Sequence, residues 1–153
     1  MNKKPLIVWF EEVSKDDVGL VGGKGANLGE MTLAHLPIPY GFVTTSQAYF
    51  DFIEHAKLQT KINDILSITD VESKEELSSA SAHIRKLIIE AEMPKEIAHL
   101  AVEYYDQLAV KEEQYLKHEM SFMHKTFHAI KGLYKQPLVA VRSSATAEDL
   151  PDA

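Results

Sequence analysis

The sequence has 153 residues, of which 45% are hydrophobic, so it can form one domain with a single core and is neither disordered nor fibrous. Its formal net charge of −7 argues against nucleic acids and anionic membranes as partners, and a bound polyphosphate would need local positive charge. It contains no cysteine, which excludes disulfides and thiolate catalysis and leads us to expect a cytoplasmic protein.

The chain begins with a predicted strand and a glycine-rich turn that leads into a helix. Residues 6–10 form an apolar, β-prone run that is too short for a signal peptide, and a helical turn is expected at Ser14. Three glycines then surround Lys24 and precede a helix that is predicted to end near His35. The predicted buried face of this helix consists of Leu28, Met31 and Ala34.

The next segment predicts a second strand followed by a helix. Two prolines exclude a helix over residues 36–41, and a short strand is expected over residues 42–45. Ser46 is the expected N-cap of the following helix. The helical spacing of apolar residues predicts its buried face, which consists of Tyr49, Phe52, Ile53 and Ala56.

Helices dominate the rest of the chain. A short helix is expected around residues 62–66, and Ser73 with Glu76 has the spacing of a capping box at the start of a long helix. Pro94 suits the first position of the next helix, and a separate helix is expected over residues 112–131.

Residues 138–141 predict a third short strand. No apolar run in the sequence approaches the ~18 residues of a membrane span. Three short strands among about six helices predict an α+β fold in which a small sheet has predominantly helical packing.

Residues 21–31 (VGGKGANLGEM) have the chemistry of a phosphate site. Glycines let successive backbone N–H groups converge on an anion, a helix N-terminus favours negative charge, and Lys24 adds a mobile cation. The segment is not a P-loop, because Val18 and Gly25 stand where that motif needs Gly and Ser or Thr. It also lacks the third glycine of the dinucleotide fingerprint, since Leu28 occupies that position. The alternative is a flexible turn between a strand and a helix.

Arg142 directly follows the predicted third strand, and strand ends are where α/β sheets present ligand-binding groups. A guanidinium can bind a phosphate through two hydrogen bonds. Further donors come from nearby hydroxyl residues, which are Ser143, Ser144 and Thr146. The alternative is a structural ion pair between Arg142 and Glu148 or Asp149.

The spacing of the seven histidines does not predict a metal site. His124 and His128 share a predicted helix face, but no H-E-x-x-H motif and no third ligand accompany them. Glu148 and Asp149 are adjacent, so their carboxylates point apart in an extended segment, and we treat them as loop residues. We assign no metal ligand and no catalytic residue to this chain.

Three segments together resemble the N-terminal nucleotide-binding region of the phosphoenolpyruvate synthase and pyruvate phosphate dikinase family, to which rifampicin phosphotransferase also belongs. They are residues 21–31, residues 39–45 (PYGFVTT) and residues 139–153 (VAVRSSATAEDLPDA). Within the family, residues 6–10 (LIVWF) and 93–97 (MPKEI) are most similar to the synthases. The resemblance covers nearly the whole chain. Residues 110–136 are longer than the family pattern suggests, so we expect a helical insertion there.

The resemblance implies that residues 1–153 are a single partial domain, the first lobe of an ATP-grasp fold. It implies that Lys24 and Arg142 contact the triphosphate of ATP. The complete enzyme would convert ATP, pyruvate and water into phosphoenolpyruvate, AMP and phosphate through a phosphohistidine, a reaction of gluconeogenesis. The family's Mg²⁺ ligands, phosphohistidine and pyruvate-binding domain lie in parts that would follow Ala153. We therefore expect the chain alone to be inactive and to self-associate through exposed apolar surface.

Two other interpretations stay open. A pyruvate phosphate dikinase or a rifampicin phosphotransferase would share this ATP-binding lobe, and the acceptor domain beyond Ala153 would distinguish them. A helical interaction module without catalytic activity is an alternative of a different class, in which the glycines serve packing alone. Its best support is the apolar stripe of the predicted 112–131 helix, which consists of Leu116, Met120, Met123, Phe127 and Ile130.

Overall fold

The computed structural model describes residues 4–119 and 138–146. Short turns of 3₁₀ helix at Phe10–Glu12 and Lys15–Asp17 follow the first strand. The strands and α-helices are β1 (Ile7–Trp9), α1 (Val18–Leu33), β2 (Phe42–Thr44), α2 (Ser46–His55), α3 (Gln59–Ser67), α4 (Lys74–Glu90) and α5 (Lys95–Glu119). This part of the chain is mostly helical with one small sheet, so the predicted α+β class is confirmed.

The sheet consists of β1 and β2, which pair antiparallel with Val8 opposite Val43. Both predicted strands are therefore confirmed, at Ile7–Trp9 and Phe42–Thr44. All three residues of β1 are buried, as its continuous apolar sequence requires. Beyond the strands, the Thr45 N–H donates to the Leu6 carbonyl at 3.0 Å and extends the pairing.

Two side-chain caps turn the chain from β1 into α1. The Glu12 carboxylate accepts a hydrogen bond from the Trp9 N–H at 2.7 Å and closes the first 3₁₀ turn. The predicted turn at Ser14 is confirmed, because its hydroxyl accepts from the Asp16 N–H while the Asp17 carboxylate accepts from the Ser14 N–H. Val13 lies between these turns and is only 3% exposed, so it anchors the connection against α1.

The core has two clusters of buried side chains. One joins the segment before β1 to α2, the loop before α3 and α5, and contains Leu6, Ala48, Phe52, Ile53, Leu58 and Ile97. The other lies under the first half of α1 and contains Val8, Val13, Val21 and Ala26. The glycine motif therefore rests on buried valines that fix its backbone.

The buried face of α1 differs from the predicted one. Leu28 and Met31 are only half-buried and Ala34 is exposed. The buried positions are instead Val21 and five small residues, which are Gly22, Gly23, Gly25, Ala26 and Gly29. Glycine is needed for close packing here, since a Cβ at Gly29 would lie 2.8 Å from a Val13 methyl group. The prediction was wrong because apolar side chains were taken to mark the interior, whereas this helix packs through its backbone.

Two details of the helix starts also differ from prediction. The N-cap of α2 is Thr45, whose hydroxyl accepts from the Ala48 N–H, while the Ser46 hydroxyl donates to the Gly19 carbonyl. Tyr49 is 50% exposed, so it is not part of the buried face. At α4, the Ser73 hydroxyl caps the helix as predicted by accepting from the Glu76 N–H. The capping box is incomplete, because the Glu76 carboxylate accepts from the Asp70 N–H and the Ser73 N–H donates to the Asp70 carbonyl.

Helix α5 is one continuous element from Lys95 to Glu119, so the predicted break before residue 112 is wrong. No glycine or proline lies within this range to end a helix. The remainder of the predicted 112–131 helix, like His124 and His128, lies outside the described residues.

Helix α5 is held to β1 through aromatic and ionic contacts. The Tyr104 ring stacks on Trp9 with centroids 4.8 Å apart, and Lys111 lies 4.3 Å from the centre of the Trp9 ring system. Lys111 also forms an ion pair with Glu11. Together these contacts fix α5 along the strand.

Residues 138–141 do not form the predicted strand and are exposed. Val141 is 91% exposed, and the described part of the chain provides no strand that pairs with this segment. A strand requires a pairing partner for its backbone groups, and apolar composition alone does not supply one. Among the described helices, none is long and apolar enough to cross a membrane.

Candidate functional site

Helix α1 is broken at the glycine motif into two helical segments. Gly22 has φ 73° and ψ 170°, a conformation outside the helical range that is almost restricted to glycine. The second segment therefore begins at Gly23, and the N–H groups of its first turn, whose partners cannot come from within that segment, belong to Gly23, Lys24 and Gly25. The predicted helix start after a glycine turn is thus confirmed, with an additional helical turn before the break.

Residues from the far end of the described chain dock on this helix start. The Ala145 carbonyl accepts a hydrogen bond from the Gly23 N–H at 3.1 Å. The Ser144 hydroxyl accepts from the Gly25 N–H at 3.1 Å and donates to the Val21 carbonyl at 2.8 Å. Ser144 thus caps the first turn of this helical segment through Gly25, which lies 119 residues earlier in the chain.

The close approach of this segment depends on the absence of a side chain at Gly22. A Cβ there would lie 2.8 Å from the Ser144 carbonyl carbon and 2.9 Å from the Ala145 carbonyl oxygen. The conformation and the contact therefore both require glycine at this position.

The two predicted phosphate ligands, Lys24 and Arg142, are exposed and lie near this docking point. Their Cα atoms are within about 18 Å of each other, since each is at most two residues from the Gly25–Ser144 hydrogen bond. The fold therefore brings two cationic side chains, remote in sequence, to one end of the second α1 segment. Such an arrangement supplies the local positive charge that a polyphosphate needs on a protein of net charge −7.

The expected convergence of glycine N–H groups on an anion needs correction. Two of the three N–H groups in this turn are bonded to Ser144 and Ala145. Ser144, predicted as a further phosphate donor, is half-buried and bonded to backbone, whereas Ser143 and Thr146 are exposed. The side chains of Lys24 and Arg142 remain the candidate ligands at this site.

Sequence reasoning missed the role of Ser144 as a cap. A local N-cap is visible as a polar residue directly before a helix, but this cap comes from a segment that has no sequence spacing relation to α1. The only available signal was the small, hydroxyl-rich composition after Arg142.

No cluster of three or more histidine, aspartate or glutamate side chains that could hold a metal ion occurs within the described residues. Glu148 and Asp149 lie outside them, so their pairing with Arg142 stays a prediction. Lys24 and Arg142 therefore stay candidate phosphate ligands of the described part of the chain.

Comparison with known proteins identifies the family. Residues 18–153 match the family model described as the pyruvate phosphate dikinase AMP/ATP-binding domain. The chain belongs to this family. The match includes both the glycine motif and residues 139–153, so it confirms the resemblance on which the sequence prediction rested.

The similar proteins found include proteins named phosphoenolpyruvate synthase. The chain is 44% identical to a probable phosphoenolpyruvate synthase of Staphylothermus marinus over 152 residues, which cover 99% of this chain and 16% of the relative. It is 45% identical to the probable enzyme of Methanocaldococcus jannaschii over 148 residues, covering 97% and 11%. It is 38% identical to the phosphoenolpyruvate synthase of Pyrococcus furiosus over 180 residues, covering 97% and 20%. The chain thus spans only a small part of the length of these relatives.

Proposed function

We propose that this chain is the N-terminal ATP-binding part of a phosphoenolpyruvate synthase in which Lys24 and Arg142 contact the triphosphate. The observation that carries the proposal is the docking of the segment after Arg142 onto the glycine turn that contains Lys24. Family membership supports ATP as the ligand, and the relatives' names support the synthase over other members of the family.

The two cations suit different parts of this task. An ammonium on a flexible stem can follow a phosphate as it moves, while a guanidinium holds phosphate oxygens in a fixed fork. During phosphoryl transfer the negative charge shifts between bridging and terminal oxygens, and cations near both limit its energetic cost. Neither group needs to donate or accept a proton, so Lys24 and Arg142 act as binding and stabilising residues.

The complete reaction would convert ATP, pyruvate and water into phosphoenolpyruvate, AMP and phosphate through a phosphohistidine. Pyruvate and the phosphohistidine belong to domains outside this chain, and none of the seven histidines here is assigned that role. We also propose that Mg²⁺ is held by carboxylates beyond the described residues. The described residues contain no group of three or more metal-ligating side chains. This activity would place the protein in the cytoplasm and in gluconeogenesis.

The proposal is tested by replacing each cation in the full-length protein. We expect Lys24→Met and Arg142→Ala each to lower the rate of ATP-dependent self-phosphorylation by about 100-fold or more while the melting temperature is kept, because each removes a charge that stabilises the transferred phosphoryl group. Matched controls are Lys61→Met on α3 and Arg85→Ala on α4. Both remove exposed cations that lie outside the glycine motif and the segment at Arg142, so the rate should be unchanged.

Normal self-phosphorylation of both site variants would refute the nucleotide assignment and favour the helical interaction module. A product assay with pyruvate or rifampicin as acceptor distinguishes the synthase from the other family members. Phosphoenolpyruvate formation that depends on inorganic phosphate would indicate a pyruvate phosphate dikinase.

A further inference from the structure

One hydroxyl group joins both sides of the break in α1. Ser144 donates to the Val21 carbonyl, which precedes Gly22, and accepts from the Gly25 N–H, which follows it. Its single O–H and one of its lone pairs are both used in these bonds. The adjacent Ala145 carbonyl adds a third bond, to Gly23.

This anchor is confined to two residues of an otherwise exposed segment. Ser144 is half-buried, while Arg142 and Ser143 before it and Thr146 after it are exposed. Residues 138–145 belong to no helix or strand, so regular structure does not fix the position of Arg142. The bonds of Ser144 and Ala145 are what hold the backbone of this segment against the turn that contains Lys24.

We propose that Ser144 is a positioning residue that holds Arg142 beside Lys24 before ATP binds. The inference rests on the proposed function, because it concerns how one of the two phosphate ligands is placed. Ser144 itself has no O–H left to donate to a phosphate, since it donates to the Val21 carbonyl.

Loss of the Ser144 hydrogen bonds should lower the affinity for ATP but not the rate of self-phosphorylation at saturating ATP. Without the Ser144 bonds, the segment around Arg142 is less ordered before ATP binds. Binding must then order it, and the loss of conformational entropy weakens the affinity for ATP. Once ATP is bound, Arg142 is held by the phosphates, so the transfer step proceeds as in the unaltered protein.

The first test compares Ser144 with an exposed serine of α4 in the full-length protein. We expect Ser144→Ala to raise the dissociation constant for ATP, measured by titration calorimetry, on the order of tenfold, which corresponds to the loss of one or two hydrogen bonds. The self-phosphorylation rate at saturating ATP should change less than about twofold. The control Ser79→Ala, at an exposed position of α4, should change neither quantity. If Ser144→Ala does not fold, Ser144→Cys is measured instead, because its thiol has a similar size and weaker hydrogen bonds.

The second test asks whether Ser144 acts through Arg142. In an Arg142→Ala background the side chain that needs positioning is absent, so Ser144→Ala should raise the dissociation constant less than about twofold. An equal increase in both backgrounds, or wild-type affinity in Ser144→Ala, would overturn the positioning role. That result leaves the proposed function intact if Lys24→Met still loses self-phosphorylation. If Lys24→Met and Arg142→Ala behave as the unaltered protein does, the proposed function itself fails.

Discussion

Gly22 is the residue on which the local geometry of the glycine motif depends. Sequence predicted that this stretch is special and that Lys24 and Arg142 are its cations, because each of these properties is visible in a short string of residues. It could not predict that Ser144 bonds to the turn, because a contact across 119 residues leaves no periodic pattern. The same limit explains why the glycine N–H groups were expected to be available for an anion.

Replacing Gly22 by alanine tests this geometry. We expect Gly22→Ala to lower the free energy of unfolding by about 1–3 kcal/mol, because its backbone conformation is almost restricted to glycine. The added methyl group should also displace the segment at Ser144. Urea unfolding followed by the fluorescence of Trp9, the single tryptophan, measures the change.

Gly19→Ala is the matched control for this substitution. Gly19 lies in the first turn of the same helix, and a Cβ there would meet no atom within 4 Å. Because alanine is the better helix former, this variant should be equal to the original or more stable by up to about 1 kcal/mol. Equal losses in the two variants would contradict the special role of Gly22.

Among the elements, α1 and α5 show what hydrophobic spacing can and cannot predict. The presence of both helices follows from their composition and from the absence of proline. The interior face of α1 does not, because Gly25 and Gly29 allow backbone packing against Val13 and Val43 that apolar spacing does not describe. In α5 the aromatic residue Tyr104 sets the docking on β1, which no property of the helix alone reveals.

The free energy of unfolding is expected to depend on pH in the alkaline range, because Tyr104 on α5 has a raised pKa. Burial raises the pKa of the Tyr104 hydroxyl, the carboxylates of Glu12 and Glu103 add to this, and Lys111 opposes it. Because the folded pKa is raised, the unfolded chain loses this proton first as pH rises. The contribution of Tyr104 is therefore complete below about pH 10 and is lost as pH rises through the folded pKa.

We expect the free energy of unfolding to fall more steeply above about pH 10 in the unaltered chain than in Tyr104→Phe, which lacks the ionising hydroxyl. Urea titrations of both proteins at a series of pH values measure the difference. Parallel curves would show that Tyr104 does not titrate differently in the folded and unfolded states.

At the scale of the whole molecule, the family and the fold class were predicted correctly, while the predicted third strand was wrong. The family was visible because its motifs are continuous strings, at residues 21–31 and 139–153. The strand predicted at 138–141 is absent, since a strand forms only with a partner and the pattern of one segment does not identify that partner. The segment is instead apolar and exposed, with Leu138 89% and Val141 91% exposed.

This segment leads us to expect self-association of the 153-residue chain. Exposed apolar side chains on a segment that belongs to no strand favour association with another copy. Leu138→Ser combined with Val141→Ser should raise the dissociation constant of the oligomer about tenfold or more, because two apolar side chains no longer contribute to burial. Sedimentation velocity over a range of concentrations measures this.

A matched double substitution elsewhere separates this effect from a general loss of surface hydrophobicity. Ile89 on α4 and Val102 on α5 are 74% and 60% exposed, so their replacement by serine removes similar side chains from another surface. Association should persist in that variant. A chain that stays monomeric at all concentrations would disprove the expectation.

The bonds from Ser144 to Val21 and Gly25 span almost the entire chain, and this has a consequence during biosynthesis. While the protein is being made, Gly22 and its neighbours leave the ribosome long before residues 144 and 145 are synthesised. Helices α2 to α5, which lie between, can form in the meantime because helical contacts are local. The glycine turn is therefore completed last, and a nascent chain that ends before residue 144 contains Lys24 without the arginine segment that belongs beside it.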